Sequence, residues 1–165
     1  MRTYIFSLVC LVTLGCVKST DYSEIPHLEF RGFSKTTMLQ GVFQEDSVFL
    51  NLYFTDGDGD FGSVATDTSY SARNIFITDL RTNMQLGSYK SPFVPLEGAG
   101  NGVSGKIKIK LFTTCCIFPT SSGINPCTKS NLFPKNELPL EIYIKDRAGH
   151  VSNTVKADVL ILDCQ

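Results

Sequence analysis

Asp56, Asp58 and Asp60 occupy alternate positions in Phe54-Thr55-Asp56-Gly57-Asp58-Gly59-Asp60-Phe61-Gly62, the one segment of this chain whose residue types and spacing suggest chemistry. A hard cation such as calcium takes about six to eight oxygen ligands, and alternate aspartates in a glycine-rich turn can aim several carboxylates at one point. Compared with the calcium loop of a helix-loop-helix protein, the three aspartates fill the first, third and fifth positions. The match ends there. Phe61 replaces the glycine that loop needs, Asp67 stands last in place of a glutamate, and a strand precedes the segment, so an EF-hand is excluded. A calcium loop on a β-scaffold remains. The competing reading is Asp-Gly turn chemistry with three solvated carboxylates, which repel one another unless hydrated or neutralised.

The elements that must position these residues are strands. From Ile25 onward the apolar pattern has period two, and no stretch shows a helical face. Leu28, Phe30 and Phe33 mark a first strand, and Val48, Leu50, Leu52 and Phe54 a second. Ile75 and Ile77 sit in a third, and residues 84–89 form a fourth. The fifth is the clearest, because Lys106, Lys108 and Lys110 alternate with Ile107, Ile109 and Leu111, giving one wet and one buried face. Leu138, Leu140, Ile142 and Ile144 make a sixth, and Val155, Ala157, Val159 and Ile161 a seventh. Short alternating strands separated by Gly, Pro and Asn predict an all-β, two-sheet antiparallel sandwich of immunoglobulin-like type with about seven strands. A small barrel is the alternative.

If the strands alternate in direction, the loops after the second and sixth emerge at one end. The latter is Asp146-Arg147-Ala148-Gly149-His150. Asp146 then becomes a fourth metal ligand, or Arg147 pairs with one of the aspartates, and the plain alternative is an ordinary hairpin turn. Residues 113–137 and Cys164 fall together at the opposite end.

Met1 and Arg2, an apolar run over residues 5–14 and the Gly15-Cys16 junction resemble the signal and lipobox of a bacterial lipoprotein, although Thr13 stands where a leucine is usual. The expected division is a signal peptide over 1–15, a lipidated Cys16 with a tether over 16–24, and a single domain over 25–165. An ordinary secretory signal is the alternative. No other apolar run approaches spanning length, so membrane attachment rests on lipid at Cys16, and the expected location is the cell envelope, at the outer membrane. Outside the cytoplasm Cys115, Cys116, Cys127 and Cys164 are expected to form two disulfides. A bridge between adjacent residues is strained, which leaves Cys127 and Cys164 each to partner one of the pair. Zinc is disfavoured because the spacings lack two separated Cys-x-x-Cys knuckles.

A formal charge of −1 with no basic stripe argues against nucleic acid. Enzymatic signals are sparse: the chain has 2 histidines, His27 and His150, and no nucleophile elbow. Asp56 and Asp60 could in principle serve as a glycosidase carboxylate pair, but a small sandwich offers little room for a cleft. The abundance of Phe and Tyr is the sole hint of a small-molecule or glycan-binding barrel, and core packing explains it equally well.

The set Ile25-Pro26-x-Leu28-x-Phe30, Asp56-Gly57-Asp58-Gly59-Asp60-Phe61-Gly62 and Asp146-Arg147-Ala148-Gly149-His150-Val151-Ser152-Asn153 resembles a family of small lipoproteins from Bacteroidota. The final segment also resembles the late hairpin of bacterial immunoglobulin-like modules, with His150 where asparagine is commoner. These resemblances imply an envelope location and a sandwich fold, and carry over no catalytic residue. The expectation is therefore a non-enzymatic, membrane-anchored lipoprotein, an interaction or envelope-structural module with a calcium-binding loop and a protein or glycan partner.

Overall fold

The computed structural model describes residues 21–64, 66–95 and 102–165; the signal segment, Cys16, the first part of the tether and residues 98–101 of the glycine cluster lie outside the described residues. The strands are β1 (His27–Phe33), β2 (Thr37–Leu39), β3 (Ser47–Asp56), β4 (Ile75–Asp79), β5 (Met84–Tyr89), β6 (Val103–Phe112), β7 (Lys135–Leu138), β8 (Leu140–Ile144), β9 (Val155–Lys156) and β10 (Leu160–Asp163). They form three sheets, ordered β1-β3-β6, β2-β10-β7 and β5-β4-β8-β9. All pairings are antiparallel except β2 with β10.

Alternation explains the central pair. Val48, Leu50, Leu52 and Phe54 of β3 are buried while Phe49, Asn51 and Tyr53 face outward. β6 pairs with β3 in unbroken register from Ser47 opposite Phe112 to Asp56 opposite Val103. Against their inner face pack Ile75 and Ile77 of β4, Ile142 and Ile144 of β8, and Leu160 and Leu162 of β10, all in one core. Each such aliphatic side chain contributes about 1.5–3 kcal/mol by leaving water. The three-residue spacing of Phe30 and Phe33 in β1 is accommodated by a register shift between them, where Gly32 takes a φ of 103°, and their rings meet edge-on at 5.1 Å.

The result is an all-β sandwich, and among the described residues the sheets do not close into the alternative barrel. Its strand count exceeds the expected seven for identifiable reasons. Pro139, which has no N–H to give a ladder, divides the expected sixth strand into β7 and β8, although Leu138 and Leu140 keep alternating into the core. The expected seventh strand is divided between Lys156 and Leu160, where the chain passes from the sheet of β8 to that of β7. That crossing resets its phase: Leu160 and Leu162 are buried, whereas Val159, expected inside, is exposed. β2 has one buried residue, Met38, too short a pattern to read as a strand.

Residues 113–137 lie at the end of the sandwich opposite the acidic loop, as the topology predicts. Cys115 bridges Cys127 and Cys116 bridges Cys164, with Cα separations of 4.5 and 6.0 Å. The Gln40 amide braces the same end, donating to the carbonyls of Thr128 and Cys164 at 3.0 Å each and accepting from the Cys116 N–H at 3.1 Å.

Candidate metal centre

Asp56 continues the inward stripe of β3 one step beyond Phe54, so strand periodicity drives its carboxylate into the interior, where the residue is fully buried. The chain then turns at Gly59, whose φ of 71° suits glycine. Phe61 returns to the core against Phe54, with ring centroids 4.2 Å apart, and its N–H donates to Asp56 Oδ2 at 2.9 Å. Phe61 thus explains the departure from a helix-loop-helix calcium loop: this position closes the loop onto a sandwich core. Gly57 donates to the Ser23 carbonyl at 2.7 Å, and a Cβ there would lie 2.2 Å from the Tyr22 carbonyl, so the N-terminal chain runs directly alongside the acidic loop.

Antiparallel pairing of β8 and β9 delivers the second loop. The Asp146 side chain is fully buried; its Oδ1 accepts from the N–H groups of Gly149 and His150, both at 2.7 Å, and its Oδ2 meets His150 Nδ1 at 2.9 Å. Asp60 crosses between the loops, its Oδ2 accepting from the Ala148 N–H at 2.8 Å. Arg147 binds the loop backbone, donating from Nη1 to the carbonyls of Phe61, Gly62 and Val94 at 3.1, 3.2 and 3.3 Å, with its guanidinium 5.1 Å from the Phe93 ring centre. Its hydrogen bonds therefore go to carbonyls, in place of the considered pairing with an aspartate. Asn153 fixes the hairpin to the other sheet by accepting from the Leu28 N–H at 2.8 Å and donating to the Leu28 carbonyl at 2.9 Å.

Asp56, Asp58, Asp60 and Asp146 converge: each offers a carboxylate oxygen, and these atoms lie within 4.8 Å of one another. Such a group can hold a metal ion. Asp56 Oδ1 and Asp60 Oδ1 are buried and have no hydrogen-bond partner among the described residues, a costly state for a carboxylate. Burial, and then the neighbouring Asp58, push the Asp56 carboxyl up to about 7, against the Phe61 N–H that favours its charge. Asp60 is raised as well, by burial and then by Asp146 and Asp58. Asp58 is exposed, and Asp67 stays outside the cluster, its Oδ1 capping the Ser69 N–H at 2.9 Å.

Sequence reasoning gave His150 no part in the acidic cluster. The imidazole is partly exposed, yet its bond to Asp146 raises its affinity for a proton. The signal was its position four residues after Asp146 across a tight hairpin.

Fold and site together define an all-β sandwich bearing a four-carboxylate group able to hold a metal ion. No protein-family model, curated protein or solved structure matches the chain.

Proposed function

We propose that this is a non-enzymatic, membrane-anchored lipoprotein whose sandwich is stiffened at its acidic end by calcium and serves as an interaction or structural module of the cell envelope. The observation that carries the metal reading is the pair of buried, unpartnered oxygens, Asp56 Oδ1 and Asp60 Oδ1, inside one carboxylate cluster. An all-oxygen donor set favours a hard cation over zinc, and two loops of irregular backbone suit the larger, less demanding calcium better than magnesium. A glycosidase reading is disfavoured because Asp56, one member of the considered Asp56 and Asp60 pair, is sealed from solvent where a sugar could not reach it.

Calorimetric titration tests the metal reading. Calcium should bind once per chain with a dissociation constant of about 0.1–1 mM, as in other extracellular modules, and magnesium should substitute poorly. Asp58→Asn should weaken binding by about tenfold or more, and Asp146→Asn should do the same because the two loops share the site. Absence of a calcium effect through several millimolar would return the loop to Asp-Gly turn chemistry.

The anchor reading rests on the Gly15-Cys16 junction, and the path of the chain sets which end of the domain it would hold near the lipid. Tyr22 and Ser23 lie against Gly57, and the Tyr22 ring against Gly102, so the tether joins the domain at its acidic end. The six residue steps from Cys16 to Tyr22 span at most about 22 Å when extended. Calcium would therefore rigidify the base of the domain, next to the lipid surface. Cys16→Ser should abolish labelling by a fatty-acid probe and leave unprocessed precursor, whereas unchanged labelling would exclude Cys16 as the anchor.

A further inference from the structure

β6 forms a free edge: β3 pairs with one side of it over its whole length of 10 residues, and among the described residues no strand pairs with the other. Proteins commonly guard such edges with short strands, bulges, proline or charged side chains, lysine above all. β6 is long, unbroken in register and free of proline, and its guard is the row of Lys106, Lys108 and Lys110, which turns away basic or uncharged strands but not an acidic one.

The two sides of this edge differ in chemistry. Inward, a groove of about 570 Å³ opens between β6 and the β4-β5 region, lined by Phe61, Ile75, Tyr89, Val94, Ile107 and Ile109. Outward, Lys106, Lys108 and Lys110 stand in an exposed row, spaced by about 6.8 Å along the strand. Lys108 lies 4.3 Å from the Phe49 ring centre and Lys110 lies 4.9 Å from that of Phe112. Among the described residues no carboxylate pairs with any of the three.

The lysine row decides what can occupy the edge. Pairing β6 with β6 of a second copy would bring lysines opposite lysines on one face, which is destabilising. A strand carrying acidic side chains on that face gains three opposite-charge contacts, and with period two its intervening side chains point into the apolar groove. We propose that the free edge of β6 receives an extended segment of a partner protein in which acidic and apolar residues alternate, adding a strand to the β1-β3-β6 sheet. This site lies beside the carboxylate cluster and shares Phe61 with its loop, but none of the four aspartates lines it.

A fluorescein-labelled ten-residue peptide of alternating glutamate and valine is the probe, titrated with the folded domain and followed by anisotropy. Saturable binding that weakens with salt is expected. Lys108→Glu should weaken it at least tenfold and Lys108→Arg should retain it, with thermal melts confirming that both exposed-site variants stay folded. A peptide of the same composition with its glutamates and valines in separate blocks should not bind, nor should the alternating peptide with N-methylated amides on its pairing side. Three results would each overturn the proposal: no saturable binding up to millimolar domain, equal binding of the blocked peptide, or concentration-dependent self-association through β6 that excludes the peptide.

Discussion

Metal-free protein is expected to become less stable as pH rises from about 4 to 8, and calcium is expected to remove that loss. The cause is Asp56, whose carboxyl is pushed up from an ordinary 3.8 to about 7 by burial and then by Asp58. Below about pH 4 the group is protonated whether the chain is folded or not, and its titration takes nothing from the stability of the fold. As pH rises the unfolded chain releases this proton first while the folded chain retains it, so unfolding gains until the pH passes about 7. A shift of this size corresponds to about 4 kcal/mol, a large part of the stability of an ordinary domain. Asp60 and His150, both raised, act in the same direction. Calcium requires ionised carboxylates, so its affinity should climb over the same interval. Asp56→Asn should then stabilise the metal-free protein at pH 8, flatten its pH dependence and abolish its calcium response. Urea denaturation at pH 5 and pH 8, with chelator or with millimolar calcium, checks all of this. Metal-free stability that stayed level or increased toward pH 8 would contradict it.

The second large effect lies at the other end of the sandwich. Replacing Cys116 and Cys164 together by alanine should cost about 2–4 kcal/mol. The same replacement of Cys115 and Cys127 should cost about 1 kcal/mol less, because that bridge spans a sequence separation of 12 against 48 and so restricts the unfolded chain less. Packing works in the same direction, since Cys116 and Cys164 are fully buried in the core. Equal losses, or a reversed order, in denaturant titrations of the two double variants would show that chain restriction does not set the ranking.

Legibility from sequence followed the reach of each signal. Strict alternation in β3 and β6 identified both strands and their inward faces, and extending the same stripe from Phe54 reaches Asp56. Alternating strand direction sufficed to bring residue 146 to the aspartates and Cys164 to the cysteine-rich loop. What escaped depends on irregular backbone. The passage from β9 to β10 changes sheets and resets the side-chain phase, which no periodicity crossing Ala157 and Asp158 can reveal. The turn at Gly59 separates three evenly spaced aspartates into two with a buried oxygen and one exposed residue, so even spacing in sequence did not mean equal environments.

A crystal grown in several millimolar calcium, with anomalous scattering measured to locate the ion, tests the calcium reading most directly. The account predicts a single peak among Asp56, Asp58, Asp60 and Asp146, about 2.3–2.6 Å from Asp56 Oδ1 and Asp60 Oδ1. Ordered water bonded to both oxygens, with no anomalous peak between the loops, would contradict it.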